Sequence, residues 1–376
     1  MVLHSHNCNF STKDSSPFST NSTEPHDPDG LSRTGHTAVA VCLGFILVAG
    51  ILNNFLTLLV FAKFRSLWTP INLILLNISL SDILVCVLGT PFSFAASVRG
   101  RWLIGESGCK WYAFANSLFG IVSLVSLSVL SYERYITVLH SSQADLSNFK
   151  KAWFCVGGSW LYSLLWTLPP FLGWSSYGPE GPGTTCSIQW HLRSPTSVSY
   201  VLCLFIFCLV LPLVLMVYSY GRILVALRRV GKINLLAAQR REQRILVMVF
   251  SMVSCYILCW MPYGIVALMA TFGRKGLVTP LTSVIPSILA KFSTVVNPVI
   301  YVFFNSQFYR CFVAFVRCSR DPEEHQTPRT QLSDVLRVQK QNSVSSSSPR
   351  LLSDPTDRTL CNHHPDQHVL FVHYTP

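Results

Sequence analysis

Seven long apolar stretches, separated by polar segments, dominate the hydrophobic pattern of this chain. Their approximate limits are 38–62, 71–97, 107–139, 152–173, 197–225, 243–272 and 280–304. A helix that crosses a bilayer needs about 20 mostly apolar residues, and each stretch meets that requirement. The pattern therefore predicts an all-α membrane protein in which residues 38–304 form a seven-transmembrane helix bundle.

The composition supports a membrane protein and argues against two other classes. Of the 376 residues, 50% are hydrophobic and 12% are charged, whereas soluble domains carry about 25% charged residues. The net charge of +12 would suit a nucleic-acid-binding protein, but the basic residues lie in the loops between apolar stretches, as membrane orientation requires. The 13 cysteines include no C-x-x-C pair and no metal-ligand spacing with histidine. We therefore expect neither nucleic acid nor a metal ion as a partner.

The lysine and arginine residues predict the orientation. With the N-terminus outside, the cytoplasmic segments hold Lys63, Arg65, Lys150, Lys151, Arg222, Arg228, Arg229, Lys232, Arg240, Arg241, Arg244, Arg310, Arg317 and Arg320. The outer loops hold fewer, which favours this orientation. Residues 1–37 are then an extracellular tail, without the pattern of a signal peptide. In this tail Asn9 and Asn21 begin possible N-glycosylation triplets.

The polar, serine-rich segment 321–376 is expected to be a disordered cytoplasmic tail. Its serines either only solvate the tail or accept phosphate from a receptor kinase. Phosphorylation would add negative charge for an arrestin-like partner to read.

Lys291 is the decisive residue, because it lies near the middle of the last apolar stretch, far from either interface. A charged side chain is costly at that depth, so an ionisable residue there is functional by default. A buried lysine also offers a nucleophilic amine, the requirement for Schiff-base chemistry. The alternative is a lysine that pairs with a buried carboxylate such as Asp82.

Other polar residues in the apolar stretches predict a network and a switch. Asp82 is expected to face the bundle interior with Asn54 and Asn297, as a structural network or as a sodium or switching site. Arg134 and Glu242 lie at the same membrane face, where an ion pair between them would hold two helix ends together. The alternative is that Arg134 simply reaches water. Pro212, Pro262 and Pro298 predict helix kinks.

Together these residues resemble the rhodopsin-class receptors of animals, and more narrowly the opsins. The matching positions, within residues 38–318, are Asn54, Asp82, Cys109 with Cys186, Glu133-Arg134-Tyr135, Trp160, Pro212 with Tyr220, Cys259-Trp260-Met261-Pro262 and Asn297-Pro298-Val299-Ile300-Tyr301. Lys291 lies six residues before Asn297, the spacing of the retinal lysine in opsins. Residues 305–320 resemble their short amphipathic eighth helix. Within opsins, the chain is most similar to the encephalopsin and teleost multiple-tissue opsin group.

The resemblance implies a plasma-membrane photoreceptor that binds retinal through a Schiff base on Lys291, as 11-cis-retinal in the dark and all-trans-retinal after light. It also implies a Cys109–Cys186 disulfide that holds the loop 174–196 over the pocket. Tyr112 stands where vertebrate visual opsins have their counterion glutamate, so we expect Glu180 to be the counterion and the pigment to be bistable. The alternative is that Glu180 is an exposed loop residue.

The resemblance further assigns Gly120, Trp260 and Tyr263 to the pocket wall. Displacement of Trp260 would swing the sixth helix at Pro262, separate Arg134 from Glu242 and expose the basic loops to a heterotrimeric G protein. The residues expected to take part in this coupling are Glu133, Arg134, Tyr135, Tyr220, Glu242, Asn297, Pro298 and Tyr301. Cys311 and Cys318 are candidate palmitoylation sites near membrane lipid.

Three other functions stay open at this point. The chain could be a receptor for a diffusible ligand that happens to carry Lys291, or a retinal photoisomerase that supplies chromophore. The Glu133-Arg134-Tyr135 and Asn297–Tyr301 motifs favour a signalling receptor over an isomerase. A transporter is disfavoured because the seven stretches show no internal repeat.

Overall fold

Seven helical spans form the bundle in the computed structural model, which describes residues 31–139, 149–231, 235–274 and 276–317. Spans 1, 3 and 4 are Arg33–Lys63, Gly105–Leu139 and Phe149–Thr167; spans 6 and 7 are Leu235–Phe272 and Pro280–Phe304. Span 2 consists of Pro70–Leu88 and Thr90–Arg99, and span 5 of Pro195–Cys203, a π-helical segment Leu204–Val210 and Leu211–Gly231. Short 3₁₀ turns cover Arg65–Leu67 and Pro169–Leu172.

Length and composition agree with a membrane-spanning bundle. Six of the described helical spans are long and apolar enough to cross a bilayer, and span 4, the shortest at 19 residues, completes the seven. Their outward faces are apolar, with Phe154 81% and Leu161 71% exposed, as lipid contact requires. The predicted seven-helix fold is confirmed.

Local sequence explains where several helices begin and bend. Ser32 caps span 1, its Oγ accepting a hydrogen bond from Gly35 N at 3.1 Å, which satisfies an otherwise free amide. Span 5 widens into its π-helical segment just before Pro212, which has no N–H to give to the previous turn. Pro262 and Pro298 lie inside spans 6 and 7.

Span 3 is the central helix of the bundle. It contacts spans 2, 4 and 5 and also both strands of an outer hairpin, β1 (Tyr177–Glu180) and β2 (Thr185–Ile188). Span 3 therefore faces the hairpin at one end, called the outer end, while its opposite, inner end lies across the bundle from the hairpin. This placement makes span 3 the physical link between the two ends.

After span 7 the chain continues in a short amphipathic helix, Ser306–Val316, as the sequence predicted. Asn305 caps it, its Oδ1 accepting from the amides of Gln307 and Phe308 at 3.2 Å. Phe308 is 1% exposed and its ring centroid lies 5.3 Å from that of Phe61 in span 1. The apolar face of the helix is thus packed on the bundle.

Candidate functional site

The outer loop between spans 4 and 5 folds into a hairpin that closes the bundle. Strands β1 and β2 pair antiparallel, with Glu180 opposite Thr185 and Pro179 opposite Cys186. Cys186 is linked to Cys109 at the outer end of span 3, with their Cα atoms 5.5 Å apart. The predicted disulfide is confirmed, and it fixes the hairpin to span 3.

Gly181 and Gly183 make the turn of this hairpin possible. Their φ angles are +61° and +74°, in the left-handed region that residues with a Cβ enter only at a cost. The tight turn returns the chain so that the inner side of the hairpin is buried.

The first residue of the hairpin is fixed to span 4. The hydroxyl of Tyr177 donates to the backbone carbonyl of Thr167 at 2.8 Å.

Lys291 lies beneath the hairpin, in the middle of span 7. Its Nζ is 5.7 Å from the ring centroid of Tyr112, and the fully buried Tyr112 is hydrogen-bonded through its hydroxyl to Thr185 Oγ1 at 3.0 Å. Over the described part of the chain the ion pairs join Lys110 to Glu106 and Lys151 to Glu133. The amine of Lys291 therefore has no carboxylate oxygen within 4 Å among those residues.

Asp82, the alternative partner of Lys291, is engaged elsewhere. Its Oδ2 accepts a hydrogen bond from Asn297 Nδ2 at 2.9 Å, and the same amide lies 3.4 Å from Ser123 Oγ. Asn54 Nδ2 donates to the carbonyl of Thr294 at 2.8 Å. Asp82, Asn54 and Asn297 thus do face the bundle interior, in a hydrogen-bonded network that joins spans 1, 2, 3 and 7.

Glu180, at the end of β1, is buried instead of exposed on the loop. It is 7% exposed, and its carboxylate accepts from Trp190 Nε1 at 3.3 Å and from the Tyr263 hydroxyl at 3.4 Å. Burial raises the pKa of Glu180 above its usual value, while hydrogen bonds from Ser187, Trp190 and Tyr263 and the positive charge of Lys291 act in the opposite direction. A cation beside it would therefore favour its ionised form.

Two cavities adjoin within the bundle, and Lys291 lines one of them. A polar compartment of about 600 Å³ is lined by Lys291, Glu180, Asp82, Asn116 and several hydroxyl side chains. An apolar compartment of about 710 Å³ lies between spans 3, 5 and 6, lined among others by Ile121, Leu204, Phe205, Tyr200 and Trp190. Ser117, Trp260 and Tyr263 line both.

Gly120 is needed where the compartments meet. A Cβ at this position would lie 2.8 Å from Trp260 Cη2, closer than two carbon atoms pack. The absence of a side chain lets the indole of Trp260 lie against span 3. The sequence predicted Gly120, Trp260 and Tyr263 at the pocket. All three line the polar compartment, and Trp260 and Tyr263 also line the apolar one.

Sequence reasoning missed several residues of the site. Trp190, Tyr200, Thr185 and Ser187 all contact or line the cavities. Trp190 offered a usable signal, because a tryptophan four residues after a disulfide cysteine in a polar loop is a candidate for burial. The position of Thr185 opposite Glu180 follows only from the hairpin register.

At the inner end of span 3 the structure describes contacts that the sequence did not predict. Glu133 is paired with Lys151 of span 4, with Nζ–Oε distances of 3.0 and 3.2 Å. Arg134 lies close to Tyr220, whose buried hydroxyl donates to Met252 Sδ at 2.9 Å. The side chains of Glu242 and Tyr301 lie outside the described residues, so their predicted contacts with Arg134 stay predictions.

The modification sites also stay predictions. Asn9, Asn21, Cys318 and the serine-rich tail lie outside the described residues. Cys311 is only 2% exposed, and its Sγ lies 3.7 Å from Ser66 Oγ. In this structure the Cys311 thiol is turned toward the bundle and not toward lipid, so an acyl chain on it would need this contact to open.

Comparison with known proteins agrees with this geometry. Residues 53–301 match the family model described as 7 transmembrane receptor (rhodopsin family). Opsin-3 of Mus musculus is 39% identical over 302 residues, covering 77% of this chain and 74% of that protein. Pinopsin of Columba livia is 35% identical (79% and 86% covered), and the visual pigment-like receptor peropsin of Mus musculus is 33% identical (77% and 87%).

The fold is also that of a solved structure. The crystal structure of squid rhodopsin matches with a TM-score of 0.70 at 24% identity, covering 85% of this chain and 94% of that one. Since the family model matches more than half of the chain and the opsins named above are over 30% identical, this chain belongs to the rhodopsin family of seven-transmembrane receptors and, within it, to the animal opsins.

Proposed function

We propose that this opsin is a light receptor of the plasma membrane that holds retinal as a Schiff base on Lys291 and activates a heterotrimeric G protein on illumination. The observation that carries the proposal is the amine of Lys291 in a cavity that also contains the buried carboxylate of Glu180. Opsins among its relatives, such as pinopsin and melanopsin, support the same reading.

The residues present fit a long, mostly apolar aldehyde. Lys291 supplies a primary amine at the polar end, and the apolar compartment beyond Trp260 can take an apolar ring. Retinal bound there would supply absorption of visible light and a change of shape, from 11-cis in the dark to all-trans after light. Gly120 and Trp260 would sense that change because they lie at the boundary of the two compartments.

Glu180 would serve as the counterion of the charged linkage. A buried cation needs a nearby anion to keep its proton, and Glu180 is the carboxylate that electrostatically reaches Lys291. Tyr112 is close to Lys291 but is a neutral phenol engaged with Thr185. This arrangement favours a photoproduct that stays protonated and bound, and hence a bistable, non-visual pigment.

Signalling would follow from movement of Trp260 and of span 6 at Pro262. The inner end of span 3, with Glu133, Arg134 and Tyr220, would then open to a G protein. A receptor kinase and arrestin would act at the serine-rich tail, and membrane lipid surrounds the bundle.

The test is an absorption spectrum of the purified full chain mixed with 11-cis-retinal, before and after light, with G-protein nucleotide exchange measured on the same sample. We expect a visible band, light-driven exchange, and return of the dark spectrum on a second illumination. Lys291→Ala should abolish the band completely, whereas Lys110→Ala, which breaks an exposed outer ion pair, should keep it. A wild-type protein without a visible band would refute retinal binding and favour a diffusible ligand.

Retinal photoisomerase is the second candidate, and the similarity to peropsin is the observation that favours it. The same experiment separates the two functions. A visible band that responds to light, with no nucleotide exchange on any G-protein class tested, would support the isomerase and overturn the receptor.

The counterion has its own test. Glu180→Gln should move the absorption of the retinal-reconstituted protein from the visible toward the ultraviolet at neutral pH, because the linkage loses the anion that keeps it protonated. The matched control is Glu106→Gln, an exposed glutamate at the outer end of span 3, which should leave the spectrum unchanged. An unchanged visible band in Glu180→Gln would reject Glu180 as the counterion.

A further inference from the structure

Trp190, like Tyr263, contacts both Glu180 and the apolar compartment. Its Nε1 donates to Glu180 Oε1 at 3.3 Å, and its ring is part of the wall of the apolar compartment. It is only 8% exposed, although it follows β2 in an otherwise polar loop. One side chain therefore connects the carboxylate to the part of the cavity that would hold an apolar ring.

Trp190 is itself held in place from two sides. Its ring stands at 84° to that of Tyr263, with centroids 5.5 Å apart, the edge-to-face geometry that aromatic pairs prefer. Thr271 Oγ1 of span 6 lies 3.4 Å from its backbone carbonyl. Tyr263 also donates to the second oxygen of Glu180 at 3.4 Å. Each oxygen of the carboxylate therefore accepts a hydrogen bond from one of the two aromatic side chains.

The indole N–H of Trp190 favours one protonation state of Glu180. An indole N–H is a donor only and cannot take up a proton. It therefore stabilises the ionised carboxylate of Glu180. The O–H of a protonated carboxyl group would need an acceptor, which the indole cannot supply. A hydrogen bond to a charged group is also stronger than a neutral one. Loss of the N–H should therefore make Glu180 easier to protonate.

We propose that Trp190 is a positioning residue for the counterion, which holds Glu180 ionised and aimed into the polar compartment while its ring closes the apolar compartment. This inference rests on the proposed function of the site. The titratable groups that face Glu180 or share its compartment are Lys291, Tyr263, Tyr112 and Asp82; His191, next to Trp190, is exposed.

The experiment is an acid titration of the dark pigment formed by the full chain with 11-cis-retinal. Protonation of Glu180 removes the counter charge, so the visible band should shift at the pH where this occurs. Trp190→Phe should move that transition upward by about one pH unit, the size expected for one lost hydrogen bond to a charged group. Trp190→Tyr, which keeps a donor, should move it less.

Two controls separate positioning from packing. Trp174→Phe removes an indole whose N–H donates to Ser199 at 2.9 Å in the same loop, and it should leave the transition where it is in the wild type. In the Glu180→Gln background, adding Trp190→Phe should not change the remaining titration, because position 180 no longer carries a carboxyl group that can ionise. An additional shift there would contradict the proposal.

A second variant keeps the test valid if Trp190→Phe does not fold. Benzothienylalanine at position 190 has the shape of tryptophan with sulfur in place of N–H, so it removes the donor and keeps the packing. An upward shift with this residue supports the proposal. A wild-type-like transition with it overturns the role of Trp190 while the visible band itself, and with it the proposed function, still stands.

Discussion

In the outer half of the bundle, Glu180 of the hairpin and Tyr112 beneath it are both buried, and a disulfide ties the hairpin to span 3. At the inner end, Glu133 pairs with Lys151, whose side chain is 50% exposed. Buried charges interact strongly because little water screens them, whereas exposed pairs contribute little. The outer half is thus built to hold a ligand in one geometry, and the inner end can rearrange at small cost.

That difference suits a receptor in which binding and response lie at opposite ends of span 3. A rigid site would convert a change in ligand shape into movement of its wall, and Trp260 is the residue proposed to move. An end held by weak contacts then follows, because regions that move are held by contacts of low stability. Substitutions in each half test this division, and those in the outer half are expected to have the larger effects.

The largest effect is expected from loss of the disulfide. The double substitution Cys109→Ser and Cys186→Ser frees the hairpin from span 3, and removing a native disulfide typically costs about 2–5 kcal/mol. We expect a lower Tm in detergent and little or no pigment with 11-cis-retinal. Cys42→Ser, at an exposed free cysteine of span 1, is the control and should behave as wild type.

If pigment formed at the normal yield without the disulfide, the rigid half would not depend on this link. The rest of the hairpin contacts, such as Tyr177 with Thr167, would then be sufficient to close the site.

A smaller but more specific effect is expected from Gly120→Ala. The new Cβ would lie 2.8 Å from Trp260 Cη2, and overpacking of this kind typically costs about 1–3 kcal/mol. We expect weaker retinal binding, measured by pigment yield against retinal concentration, and raised G-protein activation in the dark because Trp260 is displaced.

The control for Gly120→Ala is Gly157→Ala in span 4, where a Cβ would meet nothing within 4 Å. Adding Trp260→Phe to Gly120→Ala should restore retinal binding, since the shorter ring removes the contact. No recovery in the double variant would mean that Gly120 acts through another neighbour.

The bounds of the helices and the importance of Lys291 could be predicted from the sequence with different success. The bounds of span 7, Pro280–Phe304, coincide with the predicted stretch 280–304, because a polar loop and a polar cap flank it. Span 6 begins at Leu235, eight residues before the predicted 243, because the polar run 239–244 separates its first turn from the long apolar stretch. Lys291 could be identified from the sequence because a charged side chain is costly in the hydrocarbon core of a bilayer and is therefore functional by default.

Contacts that depend on tertiary pairing could not be predicted in the same way. Glu180 meets Trp190 and Tyr263 only because the hairpin register and the disulfide bring the loop over span 6. Lys151 was assigned to the positive inner loops by charge alone, and its pairing with Glu133 depends on how spans 3 and 4 approach. Sequence identifies which residues are unusual, and packing decides which of them meet.

The smallest effect is expected from Lys151→Gln at the inner end. With one partner half exposed, the pair with Glu133 should contribute no more than about 1 kcal/mol, so Tm should change little. Without Lys151, Glu133 becomes available to the neighbouring Arg134, which would favour the resting form. Light-driven nucleotide exchange should therefore slow, by less than about fivefold.

Lys110→Gln breaks the comparable outer pair with Glu106 and should not alter exchange. Faster exchange in Lys151→Gln, or a loss of pigment as large as that caused by removing the disulfide, would show that the inner end is not the weakly held half.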